Sequence, residues 1–106
     1  MIFKQNTNCF SGVEIAIFRL KDGASEQDLI ALSNKIDEEF LSQFDDLYAH
    51  FLLKGADGLY ADVVLASSQQ KAEEICALWN DNELTTKYIE KIDPESVNMS
   101  FWTKIS

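Results

Sequence analysis

Four short runs rich in β-branched and aromatic residues, set around helix-period stripes, constrain this chain more than any other feature. The first, "VEIAIFRL" (Val13 to Leu20), reads as a strand, and Lys21-Asp22-Gly23 supplies a turn after it. Ser25, three residues before Asp28, then makes a capping-box-like helix start, with acids where the helix dipole favours them. Leu29, Leu32, Ile36 and Phe40 recur at spacings of three and four, and Asp37, Glu38 and Glu39 fall toward the outer side of that stripe. Two more strands follow, Leu47 to Lys54 and Leu59 to Ala66, joined by "GADG" (Gly55 to Gly58), a hairpin signal. Ser67 and Gln70 form a second capping box ahead of Ala72, Ile75, Cys76 and Trp79. Asn80 to Asn82 interrupt that helix, Leu84, Tyr88 and Ile92 restart it, and Asp93-Pro94 ends it. Val97 to Ile105 is the last strand.

The order β-α-β-β-α-α-β predicts an α+β, ferredoxin-like βαββαβ fold, with a four-stranded antiparallel sheet and helices on one face. Residues 1–12 read as an N-terminal extension and residues 13–106 as one domain. At 106 residues the core is thin enough for burial through oligomerisation to matter. The charge of −9, with no Lys or Arg cluster, argues against nucleic acid and anionic membrane surfaces as partners. Cys9 and Cys76 are expected as free thiols in a reducing cytoplasm. "MIFKQNTNCFSG" has neither an apolar signal core nor a cleavage site, and no apolar run nears the roughly 20 residues that span a bilayer.

Strand side chains alternate between faces. One set is almost wholly aliphatic (Val13, Ile15, Ile17, Leu59, Ala61, Val63, Leu65) and is expected under the helices. The other set is mixed, yet carries Phe18, Leu52, Tyr60, Val64 and Trp102. So many large apolar groups on an open face predict a second copy packed against it, with Phe18, Leu52, Tyr60 and Val64 at the dimer interface.

The opening "VEIAIFRLKDGASEQDL", the hairpin "LLKGADGLYADVV" and the ending "IDPESVNMSFW" resemble the dimeric α/β-barrel superfamily. Within it the chain resembles uncharacterised small proteins of the antibiotic biosynthesis monooxygenase-like group. The resemblance runs from Val13 onward, and "IDPESVNMS" (Ile92 to Ser100) is its most specific piece. It implies two sheets closing into an eight-stranded barrel and a small apolar cavity between sheet and helices in each subunit. Members include cofactor-independent monooxygenases, haem-degrading enzymes, isomerases and decarboxylases, so the fold leaves the reaction open. Haem-degrading relatives carry a histidine in the second helical region. Here the only histidine is His50, and the last strand has Phe101 where relatives often have histidine.

Among single residues, His50 is the one side chain that titrates near neutrality unperturbed, and Glu14 and Asp62 share its face by strand parity. In the strand order that the resemblance implies, Glu14 and Asp62 are neighbours. The three form either an acid–base cluster or a hydrogen-bonded group that fixes strand register. Trp79, Tyr88 and Trp102 either line a pocket for an aromatic ligand or serve as core. Cys76 reads as a structural thiol. No spacing suits a metal or a nucleotide, and no cofactor is expected. Two functions remain open: a monooxygenase-like or isomerising enzyme without cofactor, acting on a small apolar or aromatic compound, and a non-catalytic ligand-binding or stress-response dimer.

Overall fold

The computed structural model describes residues 1–106. Its strands are β1 (Ile2–Phe3), β2 (Gly12–Phe18), β3 (Leu47–Lys54), β4 (Tyr60–Ala66) and β5 (Asn98–Thr103). Its helices are α1 (Glu26–Glu39), α2 (Gln69–Ala77) and α3 (Glu83–Glu90). The strands form one antiparallel sheet in the order β1-β3-β4-β2-β5, the α+β ferredoxin-like arrangement. The sheet has five strands where the sequence predicts four. The lead-in to Val13 folds back so that Ile2 pairs with His50 and Phe3 with Ala49. No helix is long and apolar enough to cross a membrane.

Local chemistry accounts for the helix ends. Ser25 Oγ accepts the Asp28 amide at 3.1 Å and starts α1. The cap of α2 is Ser68, not Ser67: Ser68 accepts the Lys71 amide at 3.1 Å, while Ser67 donates to Asp46 at 2.8 Å. Leu78–Asp81 tighten into a 3₁₀ turn, and Asn82 then caps α3 by accepting from the Leu84 and Thr85 amides. Gly12 lies where β2 passes the start of α2; a β-carbon there would sit 2.1 Å from the Ser68 carbonyl, so no larger residue fits.

In β2, β4 and most of β3 the two sheet faces are reversed from expectation, whereas in β5 Trp102 points away from the helices as expected. Phe18, Leu47, Val64 and Ala66 pack with Leu29, Ile36, Ala72, Ile75 and Tyr88 in one buried cluster beneath the helices. The predicted interface residues therefore lie inside: Phe18 and Val64 are fully buried, and Leu52 and Tyr60 pack against the cluster. The aliphatic set faces the other way. Ile15 pairs with Val63 and Ile17 with Ala61, beside Phe51 and Leu53 of β3. Phe3 (56%), Leu53 (51%), Ile17 (39%) and Trp102 (56%) on this side remain exposed. Side-chain parity sorts residues into two sets without saying which set the helices cover. Here both sets are apolar enough to be covered.

Register in β3 adds one change. A bulge between Leu47 and Ala49 puts Leu47 on the helix side together with His50, although the two are three residues apart. Asp37, expected toward the outer side of α1, is buried as well.

Candidate functional site

Four ionisable groups enter the interior from different elements because each falls on the helix-facing parity of its strand or on the inner turn of α1. Glu14 comes from β2, His50 from β3 and Asp62 from β4, and Asp37 reaches them from α1. His50 pairs with Val64 and Asp62 with Ala16, so the strand ladder places Glu14, His50 and Asp62 on one face.

His50 is fully buried and both of its ring nitrogens meet carboxylates. Nδ1 is 2.5 Å from Asp37 Oδ1 and Nε2 is 2.8 Å from Asp62 Oδ1. A neutral imidazole has one N–H, whereas the imidazolium has two, so the protonated ring alone satisfies both contacts. Burial opposes that charge, but the Asp62 charge and the hydrogen bonds to Asp37 and Asp62 outweigh it and hold the pKa at about 10. Asp37 Oδ2 lies 2.7 Å from the amino group of Met1.

Asp62 links this pair to an open space. Its Oδ2 accepts from the Tyr88 hydroxyl at 2.6 Å. Tyr88 and Asp62 line a cavity of about 270 Å³ between β2, β5 and the α2–α3 region. Glu14, Phe18 and Tyr88 are its buried floor, and the exposed side chains of Asn80, Ile89, Val97 and Met99 form its mouth. The lining is predominantly hydrophobic, as ligand pockets commonly are. Trp79 packs edge-on to Tyr88 at 5.5 Å between centroids, and edge-on to His50 at 6.2 Å. Its indole N–H is buried without a partner.

Electrostatics make Glu14 the most labile acid of the group. Burial, reinforced by the Asp62 charge, pushes its pKa up to about 7, and the Cys76 thiol and the His50 charge offset only part of that. Burial likewise pushes Cys76 up to about 12, with Glu14 adding to it, so the thiol is no nucleophile at neutral pH. Tyr88 is raised well above its usual value by burial and by Asp62. The site therefore holds one carboxyl poised near neutrality, one anchored carboxylate and one phenol whose proton is committed to that carboxylate.

Of the sequence-predicted site residues, Glu14, His50 and Asp62 converge as one cluster, and Trp79 and Tyr88 join the cavity wall. Trp102 does not: it lies on the opposite sheet face, where its indole donates to Ser100 Oγ at 2.8 Å. His50 itself stays behind Asp62 and lines no part of the cavity. Asp37 is not among the sequence-predicted site residues, although it falls four residues after Ser33 and eight after Leu29, on the buried stripe.

No family model matches the chain, and no curated protein matches it by sequence. Solved structures do match by fold. SnoaB, a cofactor-independent oxygenase from Streptomyces nogalater, aligns over 92% of this chain and 95% of its own at 10% identity, with a TM-score of 0.71. Arabidopsis thaliana protein At3g17210 aligns over 90% and 96% at 16% identity, with a TM-score of 0.70. A dimeric ferredoxin-like protein from an uncultured marine organism aligns over 94% and 92% at 17% identity, with a TM-score of 0.61. At these identities the likeness is one of fold: the chain has the ferredoxin-like architecture of these proteins, in keeping with the resemblance to the dimeric α/β-barrel superfamily.

Proposed function

We propose that the protein is a homodimeric enzyme without bound cofactor that removes a proton from a small, apolar, aromatic compound held in the cavity. The observation that carries this reading is the Glu14 carboxyl, buried at the floor of an apolar cavity and titrating near neutrality beside Asp62. An acid–base group works best when its pKa lies near the working pH. A pocket that served only to bind apolar ligands would gain nothing from burying that carboxyl, since the desolvation opposes folding.

The chemistry divides after the first step. Transfer of the substrate proton to Glu14 leaves an electron pair on the substrate, delocalised over its ring. Return of a proton at another atom gives an isomerase. Reaction of the anion with O₂ forms a carbon–oxygen bond and a peroxide, and loss of water then leaves a carbonyl. A methylene so treated follows R₂CH₂ + O₂ → R₂C=O + H₂O, with Glu14 holding the proton between steps. The oxygenase form has a precedent on the same fold in SnoaB, described as a cofactor-independent oxygenase. The homodimer is supported by the exposed apolar sheet face bearing Phe3, Ile17, Leu53 and Trp102, and by a similar fold that is described as dimeric.

The test uses 1,3-dihydroxynaphthalene, a bicyclic phenol with exchangeable ring C–H positions. In D₂O buffer the wild type should accelerate loss of the ring C–H signals, and Glu14→Gln should not. In air, oxygen uptake with formation of the hydroxynaphthoquinone (C₁₀H₈O₂ + O₂ → C₁₀H₆O₃ + H₂O) selects the oxygenase form. Exchange and oxygen uptake both at the buffer rate would rule out the proton-transfer reading for this class of compound.

A further inference from the structure

The cavity floor has a hydrogen-bonding polarity as well as a shape. Tyr88 has a single O–H, and that proton is directed to Asp62 Oδ2 at 2.6 Å. What the Tyr88 oxygen retains for a ligand is therefore lone pairs. The Asp62 oxygens are held by His50 and Tyr88, and both His50 nitrogens are directed to carboxylates. No Lys or Arg lines the cavity. Its ionisable lining consists of Glu14, Asp62, Cys76 and Tyr88, all neutral or negative in their ordinary forms.

We infer that this cavity selects uncharged ligands that bring their own hydrogen-bond donor, a phenol or enol O–H directed at Tyr88 Oη or Glu14, and that it rejects carboxylates. The inference rests on the reading of this cavity as the substrate site. Two physical effects combine. A buried acceptor left without a donor loses its hydration for nothing, so a ligand lacking the O–H is penalised even when its shape fits. A ligand carboxylate would meet the Glu14 charge across a largely apolar space, where like charges are weakly screened, while the Asp62 charge is already paired with His50. The apolar walls, Phe18, Ile92 and Met99, supply the remaining affinity without distinguishing such ligands.

Three ligands of the same bicyclic frame separate these effects: 1-naphthol, 1-methoxynaphthalene and 1-naphthoate, titrated into the intact protein by calorimetry at pH 8. Naphthol should bind at least tenfold more tightly than either of the others. Equal binding of methoxynaphthalene would overturn donor selection, and equal or tighter binding of naphthoate would overturn the charge argument. Binding of all three with the same affinity would leave the cavity standing as a site and sink this inference alone. Binding of none, up to their solubility limits, would remove the cavity reading and the inference with it. One variant locates the charge effect. Glu14→Gln should cut the discrimination against naphthoate at least threefold, and full retention of that discrimination in the folded variant would contradict the assignment.

Discussion

Replacing Glu14 by Gln should make the protein more stable at pH 8 while removing the proposed proton transfer. The Glu14 proton is bound with a pKa of about 7 in the fold, against 4.5 for an unperturbed carboxyl. Between those values the folded state holds more protons than the unfolded one, so stability falls as pH rises through that window and then levels off. At about 1.4 kcal/mol per tenfold change in proton affinity, the ionised carboxyl costs the fold roughly 3 kcal/mol at pH 8. Gln keeps the shape without the charge. Below pH 4.5 the wild-type carboxyl is protonated in both states, and the difference between the proteins should shrink toward zero. Chemical denaturation at pH 4.5 and pH 8, at one protein concentration, reads this directly. For a chain of this size the gain corresponds to a rise in Tm of about 10 °C at pH 8. A Glu14→Gln protein that is less stable than wild type at pH 8, or altered equally at both pH values, would show that the ionised Glu14 carboxylate does not destabilise the fold.

Three further outcomes follow from the same structure. His50→Ala leaves Asp37 and Asp62 buried without their shared cation and should cost roughly 3–5 kcal/mol at pH 7. The stabilisation from His50 is complete below pH 6.5 and lost as pH rises toward about 10, so wild type and variant should converge in alkaline denaturation curves; parallel curves would contradict it. Ile17→Asp on the open sheet face should yield a folded monomer by light scattering and circular dichroism, whereas Val64→Asp in the core should unfold the chain; a dimeric Ile17→Asp protein would count against the proposed interface. Maleimide at neutral pH should modify the exposed Cys9 and spare Cys76 until the protein is unfolded, and two equivalents consumed by the native protein would contradict the raised thiol pKa.

Much of this architecture is legible in the residues themselves. The strand runs, the GADG hairpin and the Asp93-Pro94 stop are local signals, and the elements formed where local preference and hydrophobic period agree. The grouping of Glu14, His50 and Asp62 is legible too, because side-chain alternation holds along β2, β4 and the part of β3 that follows Ala49. Which face the helices cover was not. That choice depends on the path of the crossovers and on Gly12, whose missing side chain lets α2 start directly over β2. The cavity was legible only through family resemblance, since it arises from a gap between α2, α3 and β5 that no local pattern encodes. The bulge at Leu47/Ala49 explains why a single alternation failed along β3. Ser67 lost the cap to Ser68 because Asp46 engages the Ser67 hydroxyl from across the fold.

In the proposed function a carboxyl at the floor of an apolar cavity is poised to exchange a proton near neutrality. Selective ¹³C labelling of glutamate side chains, with Glu14→Gln to assign the resonance, lets the Glu14 carboxyl be titrated by NMR in the intact protein. The midpoint should lie near 7 and respond when 1-naphthol occupies the cavity. A midpoint in the ordinary carboxyl range near 4.5, indifferent to the ligand, would contradict it.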